Sequence, residues 1–188
     1  QIQSQTIITT FNGVAVSRRD GSVLAVPFDL DRLEFTGSPV PILEGVTMNF
    51  TVAANLGFSA GSNQGAHAAK DPGVLVFLNN DIRVEKDWLR ELVAPIVRRE
   101  CQATTSKMLS WDGQKMTSAG GGMNFAGIGI QYGYLEEPGP AFDFPRKTLF
   151  ACGGSMAIDA GVFEDVGGFD EEFFAYYEDV DLGWRLWV

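Results

Sequence analysis

The chain has 188 residues, of which 45% are hydrophobic, 20% charged and 12% aromatic, a composition that supports a packed core and excludes wholesale disorder. Its 24 acidic and 14 basic side chains give a net charge of -10, which argues against a nucleic-acid partner, because phosphate recognition needs a basic surface. No apolar run approaches the roughly 18 residues that a membrane-spanning helix needs, so no transmembrane segment is expected.

The first part of the chain, residues 1–54, is predicted to be all-β. Runs rich in β-branched and aliphatic residues, such as 6–11 and 22–28, alternate with turn signals such as Asn12-Gly13. Proline cannot donate to a strand ladder, which places the run 40–46 at an edge. Strands of this length and spacing are typical of a meander or of a propeller blade. A β-rich extension of no particular kind is the plainer alternative.

From about residue 55 onward, helices and strands alternate. Small residues predict a helix over 59–69, and the continuous apolar run over 73–78 predicts a buried parallel strand. Apolar residues at helical spacing predict a second helix over 88–97, with Asp87 as its cap. The glycine-rich stretch that follows predicts strands and loops, and residues 180–188 predict a last helix. This order of elements predicts an α/β fold.

The first candidate site lies at the carboxyl end of the apolar strand, where ligands bind in open α/β sheets. Asn79 and Asp81 are two residues apart, so they can share a face and point at one ligand. The Asp81 carboxylate supplies a hard oxygen suited to Mg²⁺ or Mn²⁺. One carboxylate is too few for a protein-only cage, but it suffices where a diphosphate supplies further oxygens. An ordinary strand-to-turn junction is the alternative.

The second candidate site is the acidic start of the last helix. Glu178, Asp179 and Asp181 lie where the helix dipole favours anions, and Asp181 can pair with Arg185 four residues on. Set among aromatic side chains, Glu178 or Asp179 could have a raised pKa and act as a general base. An acidic helix terminus with no further role is the alternative.

The third candidate site is glycine-rich. Two glycine pairs, Gly153-Gly154 and Gly167-Gly168, let the backbone approach a flat ligand such as a sugar ring. Aromatic and acidic side chains beside them, including Phe169 and Asp170, suit the apolar faces and hydroxyl rims of a carbohydrate. Turn chemistry combined with core aromatics is the alternative.

Taken in order, these motifs resemble the family 2 glycosyltransferases, in particular their bacterial rhamnosyltransferase-like branch. The resemblance covers residues 55–188 and rests on several segments that agree in order and rough spacing. These segments are 55–65, 78–81, 153–154, 167–174 and 178–185.

The resemblance implies an α/β fold of the GT-A (Rossmann-like) type and an inverting transfer of a sugar. The donor would be a nucleotide-diphosphate sugar, and the acceptor would be a hydroxyl of a glycan or a lipid-linked molecule in cell-surface polysaccharide synthesis. A divalent cation, Mg²⁺ or Mn²⁺, would neutralise the leaving diphosphate. The expected location is the cytoplasm, with peripheral association with the inner membrane as an alternative.

The resemblance also implies roles for individual residues. Asp81 would hold the metal in a variant of the D-x-D motif. Glu178 and Asp179 would form the catalytic E-D motif, with Asp179 the best candidate for the base that deprotonates the acceptor. The residues expected to bind donor or acceptor are Asn55, Gly57, Asn63, Asn79, Gly153, Gly154, Phe169, Asp170 and Arg185.

The sequence departs from the family at its beginning, where such enzymes place strands that grip the nucleotide. Residues 1–54 stand there instead and resemble a blade of a TolB-like six-bladed β-propeller. We therefore expect a propeller-like segment over 1–54 and a truncated, partial GT-A domain over 55–188, whose parallel sheet has an unpaired edge. The alternatives are a propeller-derived binding or sensor module, and a non-functional hybrid.

Overall fold

The computed structural model describes residues 6–10, 14–19, 22–29, 34–35, 40–43, 57–69, 72–79 and 81–188, and for the first five of these stretches it describes the backbone. Those five stretches are all strands. They are β1 (Thr6–Thr10), β2 (Val14–Arg19), β3 (Ser22–Asp29), β4 (Glu34–Phe35) and β5 (Val40–Leu43). The described stretches of residues 1–54 are thus β-structure, as expected, and the all-β character of the rest of that segment remains a prediction.

β3 is the centre of a small antiparallel sheet. β2 pairs along one side of it, and β4 and β5 pair along the other. No strands close into a ring within the described part of the chain, so the propeller interpretation of residues 1–54 gains no support. The division of the chain at residues 54 and 55 remains a prediction.

The remaining elements form the α/β part of the chain. In chain order, helix α1 (Gly57–Ala68) is followed by strand β6 (Val74–Asn79) and helix α2 (Trp88–Val97). Helices α3 (Ala160–Asp165) and α4 (Glu178–Trp187) are the last two elements. The strands between α2 and α3 are β7 (Ala103–Thr105), β8 (Met108–Leu109), β9 (Met116–Ser118), β10 (Gly121–Met123), β11 (Gly129–Gln131) and β12 (Ser155–Asp159). Among the helices that the structure describes, none has the length and apolar character needed to cross a bilayer.

The main sheet has the strand order β1-β6-β12-β7, and every neighbouring pair is antiparallel. The expectation that β6 has parallel neighbours is wrong. Strand β12, which directly follows a glycine pair and was not predicted, lies between β6 and β7 and runs antiparallel to both. On its other side β6 is covered by β1, so β1 and β7 are the two edge strands of this sheet among the described strands. β1 pairs with all of β6 except Val74, from Thr6 opposite Asn79 to Thr10 opposite Leu75.

The alternation of side chains along β6 explains its continuous apolar run. Val74 and Val76 face α2, where they pack with side chains such as Leu92 and Val93. Leu75 and Phe77 face the opposite side of the sheet. That second cluster also contains Met156, Ile158, Phe163, Phe169 and Leu182. Both faces of β6 are thus buried, and its carboxyl end is held firmly in place.

The starts of two helices differ from the expectations. Asp87 occupies the N-cap position of α2 but makes no capping hydrogen bond, because its carboxylate pairs with Arg90 at 3.1 Å. Helix α1 begins at Gly57, two residues earlier than predicted, with φ of +79°. A Cβ at Gly57 would collide with the carbonyl oxygen of Phe174, so glycine is required there.

The pairing of β1 with β6 predicts a local effect of breaking β1. We expect the double substitution Ile7→Pro/Ile8→Pro to speed amide exchange in β6, as measured by hydrogen–deuterium exchange mass spectrometry. Successive N–H groups of a strand point to opposite sides, so one of the two prolines must remove a donor that faces β6. Ile42→Pro in β5 is the control, since among the described strands β5 pairs with β3 and not with β6. Unchanged exchange in β6 would contradict the pairing.

Candidate active site

Two of the candidate sites meet at the turn formed by Gly153 and Gly154. The N–H of Asn79, at the end of β6, donates to the carbonyl oxygen of Gly154 at 2.9 Å. The N–H of Gly153 donates to Oδ2 of Asp179 at 3.0 Å. A single two-residue turn therefore joins the end of a central strand to the acidic start of α4.

At the strand end, Asn79 lies against the turn. Its Nδ2 is 3.7 Å from the place that a Cβ on Gly154 would occupy, and its Oδ1 is buried with no hydrogen-bond partner among the described residues. Asp81 is exposed in the turn that follows and makes no ion pair with any described residue. Asn55, also expected to bind a ligand, lies outside the described residues, as does Asn80.

The carboxylate of Asp179 is held by the backbone on both sides. Oδ2 accepts from Gly153, and Oδ1 accepts from the N–H of Val180 at 2.8 Å. Burial raises the pKa of Asp179, and the N–H donors of Gly153 and Val180 oppose that rise because they stabilise the charged form.

Glu178 is more deeply buried, with only 7% of its surface exposed. Its Oε2 has no hydrogen-bond partner within the described part of the chain, and its Oε1 lies 3.5 Å from where a Cβ of Gly153 would be. Burial raises the pKa of Glu178 to about 7, from an ordinary value of 4.5. The charge of Asp179 adds to the rise, and the N–H groups of Glu178 and Tyr176 oppose it. A carboxyl group of this kind can exchange a proton near neutral pH.

The residues just before this acidic pair have an unusual backbone, which the sequence did not indicate. Tyr176 and Tyr177 both have φ of +71°, the left-handed region that costs free energy for residues other than glycine. The Tyr177 hydroxyl accepts a hydrogen bond from the N–H of Gly129 at 3.2 Å, which ties the start of α4 to the β10–β11 hairpin. Strain of this kind clusters at functional sites, and here it fixes the direction of the first turn of α4.

The other expected binding residues gather elsewhere, around a surface cavity of about 460 Å³. Its lining residues are Asn63, His67, Gly167, Phe169, Asp170, Glu171 and Arg185. Asn63 is buried, and its Oδ1 accepts from the N–H of Phe169 at 3.0 Å. Its Nδ2 donates to the carbonyl of Phe169 at 2.8 Å and to Glu171 Oε1 at 3.0 Å. The Asn63 amide thus holds the loop that follows α3.

Phe169 and Arg185 also make extensive contacts within the protein. Phe169 is 1% exposed, and its ring centroid lies 5.1–5.4 Å from those of Phe58, Phe77 and Phe163. Arg185 donates to Asp181 Oδ2 at 2.8 Å from Nε and at 2.6 Å from Nη2, as its spacing predicted. Its Nη1 donates to the carbonyl of Val166 at 2.6 Å. These contacts favour a structural role, while the expected ligand contacts remain predictions.

Phe58 lies between the two groups of residues. Its ring packs edge-on against Phe169, and it is also 3.2 Å from the position that a Cβ of Gly153 would take. The structure therefore brings Asn79, Gly153, Gly154, Glu178 and Asp179 together at one site. It places Asn63, Phe169, Asp170 and Arg185 around the other, and Gly57 against Phe174.

The side chains of the site could hold a divalent cation only together with a bound substrate that supplies further oxygen atoms. The described residues contain no group of three or more His, Cys, Asp or Glu that could hold a metal ion by themselves. Asp81 offers one exposed hard oxygen, and Mg²⁺ is commonly held by one or two carboxylates together with substrate phosphates. Asp81 would therefore hold the ion jointly with a diphosphate.

Comparison with known proteins identifies the class of protein that this fold and site define. Residues 50–167, more than half of the chain, match the glycosyl transferase family 2. The chain belongs to this family, which makes it a glycosyltransferase by class, as its motifs predicted. The matched range includes Asn79, Asp81 and the Gly153-Gly154 turn, whereas Glu178 and Asp179 follow it.

Three similar proteins carry names that refer to glycan synthesis or to sugar transfer. The chain is 35% identical over 119 residues to the O-antigen biosynthesis protein RfbC of Myxococcus xanthus, covering 60% of this chain and 9% of that protein. It is 31% identical over 121 residues to polypeptide N-acetylgalactosaminyltransferase 8 of Drosophila melanogaster, covering 61% and 20%. It is 29% identical over 137 residues to the low-salt glycan biosynthesis hexosyltransferase Agl10 of Haloferax volcanii, covering 70% and 43%. The chain thus spans less than half the length of these relatives.

The contacts of Asn63 predict a loss of stability on changing its amide to a carboxylate. We expect Asn63→Asp to lower the free energy of unfolding by about 1–3 kcal/mol, because the Phe169 carbonyl loses its donor and a charge is buried. Urea denaturation followed by fluorescence measures the change. Gln64→Ala on the exposed face of the same helix is the control, with an expected change near zero. Equal stability of the two variants would exclude the loop-holding role.

The raised pKa of Glu178 predicts a pH dependence of stability. Its folded-state pKa of about 7 exceeds the ordinary 4.5, so its favourable contribution is complete below pH 4.5 and is lost as the pH rises to about 7. We expect Glu178→Gln to gain stability relative to the wild type across that window. Denaturant unfolding at a series of pH values measures the difference, with exposed Glu172→Gln as the control. A difference that does not vary with pH would show that Glu178 titrates normally.

Proposed function

We propose that this chain carries the reaction site of a sugar transferase that uses a nucleotide-diphosphate sugar as donor and a hydroxyl group as acceptor. The observation that carries the proposal is the hydrogen bond from Gly153 N–H to Asp179, since it brings the acidic pair to the end of strand β6. In that arrangement the sugar donor would bind at the end of β6 on one side of the Gly153-Gly154 turn. The carboxylates that could accept a proton would lie on the other side of the same turn.

The donor would bind at the carboxyl end of β6. The exposed Asp81 carboxylate would hold a divalent cation together with the diphosphate, and the ion would supply positive charge that stabilises the leaving group. Oδ1 of Asn79, which has no hydrogen-bond partner among the described residues, would accept a hydrogen bond from a hydroxyl of the sugar. The Gly153-Gly154 turn would lie beside the sugar, and a Cβ on Gly154 would meet Ile82, Met108 and Asn79 at ordinary contact distances.

The acceptor would enter from the side of α4. Attack of its hydroxyl on the anomeric carbon, opposite the departing diphosphate, inverts the configuration at that carbon. The reaction needs a group that removes the hydroxyl proton, and the buried Glu178-Asp179 pair supplies carboxylates with raised pKa for that purpose.

The names of two of the three reported relatives support a glycan acceptor. Two of the relatives, an O-antigen biosynthesis protein and a glycan-biosynthesis hexosyltransferase, have names that refer to the assembly of glycans. A role in cell-surface polysaccharide synthesis, with a glycan or lipid-linked acceptor, is therefore our proposal for the reaction. Because activated sugars of this kind are cytoplasmic, we propose that the reaction takes place there.

This function predicts metal-dependent binding of a nucleotide sugar. Calorimetry with Mn²⁺ and a panel of UDP-, GDP- and dTDP-sugars should give heat for at least one donor. Asp81→Asn should weaken that binding by about tenfold or more, equivalent to ~1.4 kcal/mol, because it removes the carboxylate that holds the ion. Asp165→Asn, an exposed aspartate on α3, is the control and should bind as the wild type does. The absence of heat with every donor would refute the proposal for this chain.

A further inference from the structure

The β10–β11 hairpin carries its apolar side chains on the outside. Gly129 faces the protein, where a Cβ would lie 3.0 Å from a side chain of α4, and the amide of Gln131 on the same face donates to Cys152 Sγ at 3.7 Å. Ile128 and Ile130 alternate with these residues, so they point away from the protein, and they are 53% and 46% exposed. The hairpin therefore turns its polar face inward and its isoleucines toward solvent.

The turn of this hairpin, residues 124–128, exposes a phenylalanine. Phe125 is fully exposed to solvent. The turn is held by Asn124, whose Oδ1 accepts from the N–H groups of Ala126 and Ile128, each at 3.0 Å. Local hydrogen bonds thus keep an aromatic ring in water next to the exposed isoleucines, and exposed apolar groups that lie together mark interaction sites.

The segment that contains the hairpin has no charge. No charged side chain occurs between Lys115 and Glu136, although charged residues make up 20% of the chain. The two ends of the segment meet at its base, where the N–H of Met116 donates to the carbonyl of Glu136 at 2.9 Å. Charged side chains are costly to bring into hydrocarbon, and this segment can leave water without that cost.

Two tyrosines lie between the turn of the hairpin and its base. Tyr132 is on the same outward face as Ile130, and its hydroxyl oxygen lies 2.5 Å from the place that a Cβ on Gly122 would occupy. Tyr134, two residues closer to the base, is largely exposed. Tyrosine combines an apolar ring with a polar hydroxyl, and it is enriched where a membrane meets water.

Two basic side chains lie next in sequence to a segment that binds the hairpin. Arg146 and Lys147 shortly precede Leu149, whose N–H donates to the carbonyl of Gly121 on β10 at 2.8 Å. Both side chains are exposed, and neither makes an ion pair with a residue that the structure describes. Arg146 donates instead to the carbonyl of Ala141. Basic groups without carboxylate partners are attracted to anionic lipid headgroups.

We propose that the β10–β11 hairpin is a membrane-contacting surface, which places Phe125, Ile128 and Ile130 in the interface of an anionic lipid bilayer. Aliphatic and phenylalanine side chains at the turn, tyrosines behind them and basic side chains near the base follow the change in polarity from hydrocarbon to headgroups. A glycan is a poorer match, because outward isoleucines offer none of the hydrogen bonds that sugar hydroxyls need.

This surface goes beyond the proposed function, although the two are connected. The Tyr177 hydroxyl accepts from the N–H of Gly129 at 3.2 Å, so the hairpin is attached directly in front of the acidic pair. A bilayer in contact with the hairpin would bring a lipid-linked acceptor close to the reaction site. Only this consequence rests on the proposed function, since membrane contact itself requires no transfer.

The first test is flotation of the whole chain with vesicles of equimolar phosphatidylcholine and phosphatidylglycerol. The wild type should float with the vesicles, and Ile128→Ser/Ile130→Ser should weaken its partitioning by about tenfold or more, because membrane binding scales with the apolar area buried. Val97→Ser is the control. Val97 is exposed at the end of α2, which packs on the opposite side of the main sheet from α4. Failure of the wild type to float, or equal loss in both variants, would overturn the inference.

The basic side chains give a second comparison on the same vesicles. Lys147→Gln should weaken binding by about fivefold, since each basic residue near an anionic surface contributes that much. Arg98→Gln, at the end of α2, removes the same charge far from the hairpin and should bind as the wild type does. Equal weakening in the two variants would reduce the attraction to an effect of net charge and contradict the orientation proposed here.

The third test measures depth and removes no apolar group. Phe125→Trp and Val97→Trp each add one tryptophan, and the vesicles carry bromine on their acyl chains. The fluorescence added by Phe125→Trp should be quenched, whereas that added by Val97→Trp should not. An unquenched tryptophan at residue 125 would show that the turn does not enter the bilayer, whatever the flotation result.

The same variants identify a different occupant of the surface. If light scattering without vesicles shows a dimer that dissociates in Ile128→Ser/Ile130→Ser, the hairpin is an interface between copies of this chain and the membrane assignment is wrong. Vesicle binding is measured without donor or Mn²⁺, so its failure leaves the calorimetric test of the proposed function untouched. Absence of nucleotide-sugar binding would likewise leave the flotation and quenching results standing.

Discussion

The hydrogen bond from Gly153 N–H to Asp179 is the interaction on which the site depends. It is the direct link between the turn that follows Cys152 and the first turn of α4, and the same turn accepts a hydrogen bond from the end of β6. A buried carboxylate must be paired or hydrogen-bonded, and here the backbone supplies both donors. The requirement to satisfy one charge therefore also positions the neighbouring Glu178 carboxyl group, whose Oε2 has no hydrogen-bond partner among the described residues.

The backbone and the buried carboxyl group at the start of α4 cost free energy. The packing of the hydrophobic core next to them offsets that cost. Two consecutive tyrosines in the left-handed region directly precede Glu178, whose buried Oε2 has no partner within the part of the chain that the structure describes. Just below them, Leu182 on α4 packs into the cluster built from Phe77 and Phe169. Edge-to-face contacts between phenylalanine rings, such as those that Phe169 makes, contribute about 0.5–1.5 kcal/mol each beyond their area burial. Strain at a rim supported by a tightly packed aromatic core is consistent with a site that has to hold its geometry.

The sequence predicted those parts of the molecule whose signals are local. The apolar run of β6, the helical spacing of α2 and the Asp181–Arg185 pair are all written in neighbouring residues, and the structure confirms them. The position of β12 was not predicted, because a five-residue strand directly after a glycine pair resembles a turn. The pairing of β1 with β6 was not predicted either, since partner choice between distant strands leaves no local pattern. Sequence could place Glu178 and Asp179 at a helix start, but the difference between them arises from backbone N–H groups that no motif records.

The location of β12 within the sheet has a consequence for biosynthesis. β12 hydrogen-bonds to β6 on one side and to β7 on the other, yet it is the last of the three to leave the ribosome. Until β12 (Ser155–Asp159) has been synthesised, neither β6 nor β7 can pair with it. The apolar strand β6 (Val74–Asn79) is therefore left with unpaired backbone hydrogen-bonding groups on one side. Sheets closed by a late central strand acquire their non-local contacts slowly, and this exposes the nascent chain to self-association. Because of the order of translation, the main sheet can be completed only after the C-terminal third of the chain, which contains β12, has been synthesised.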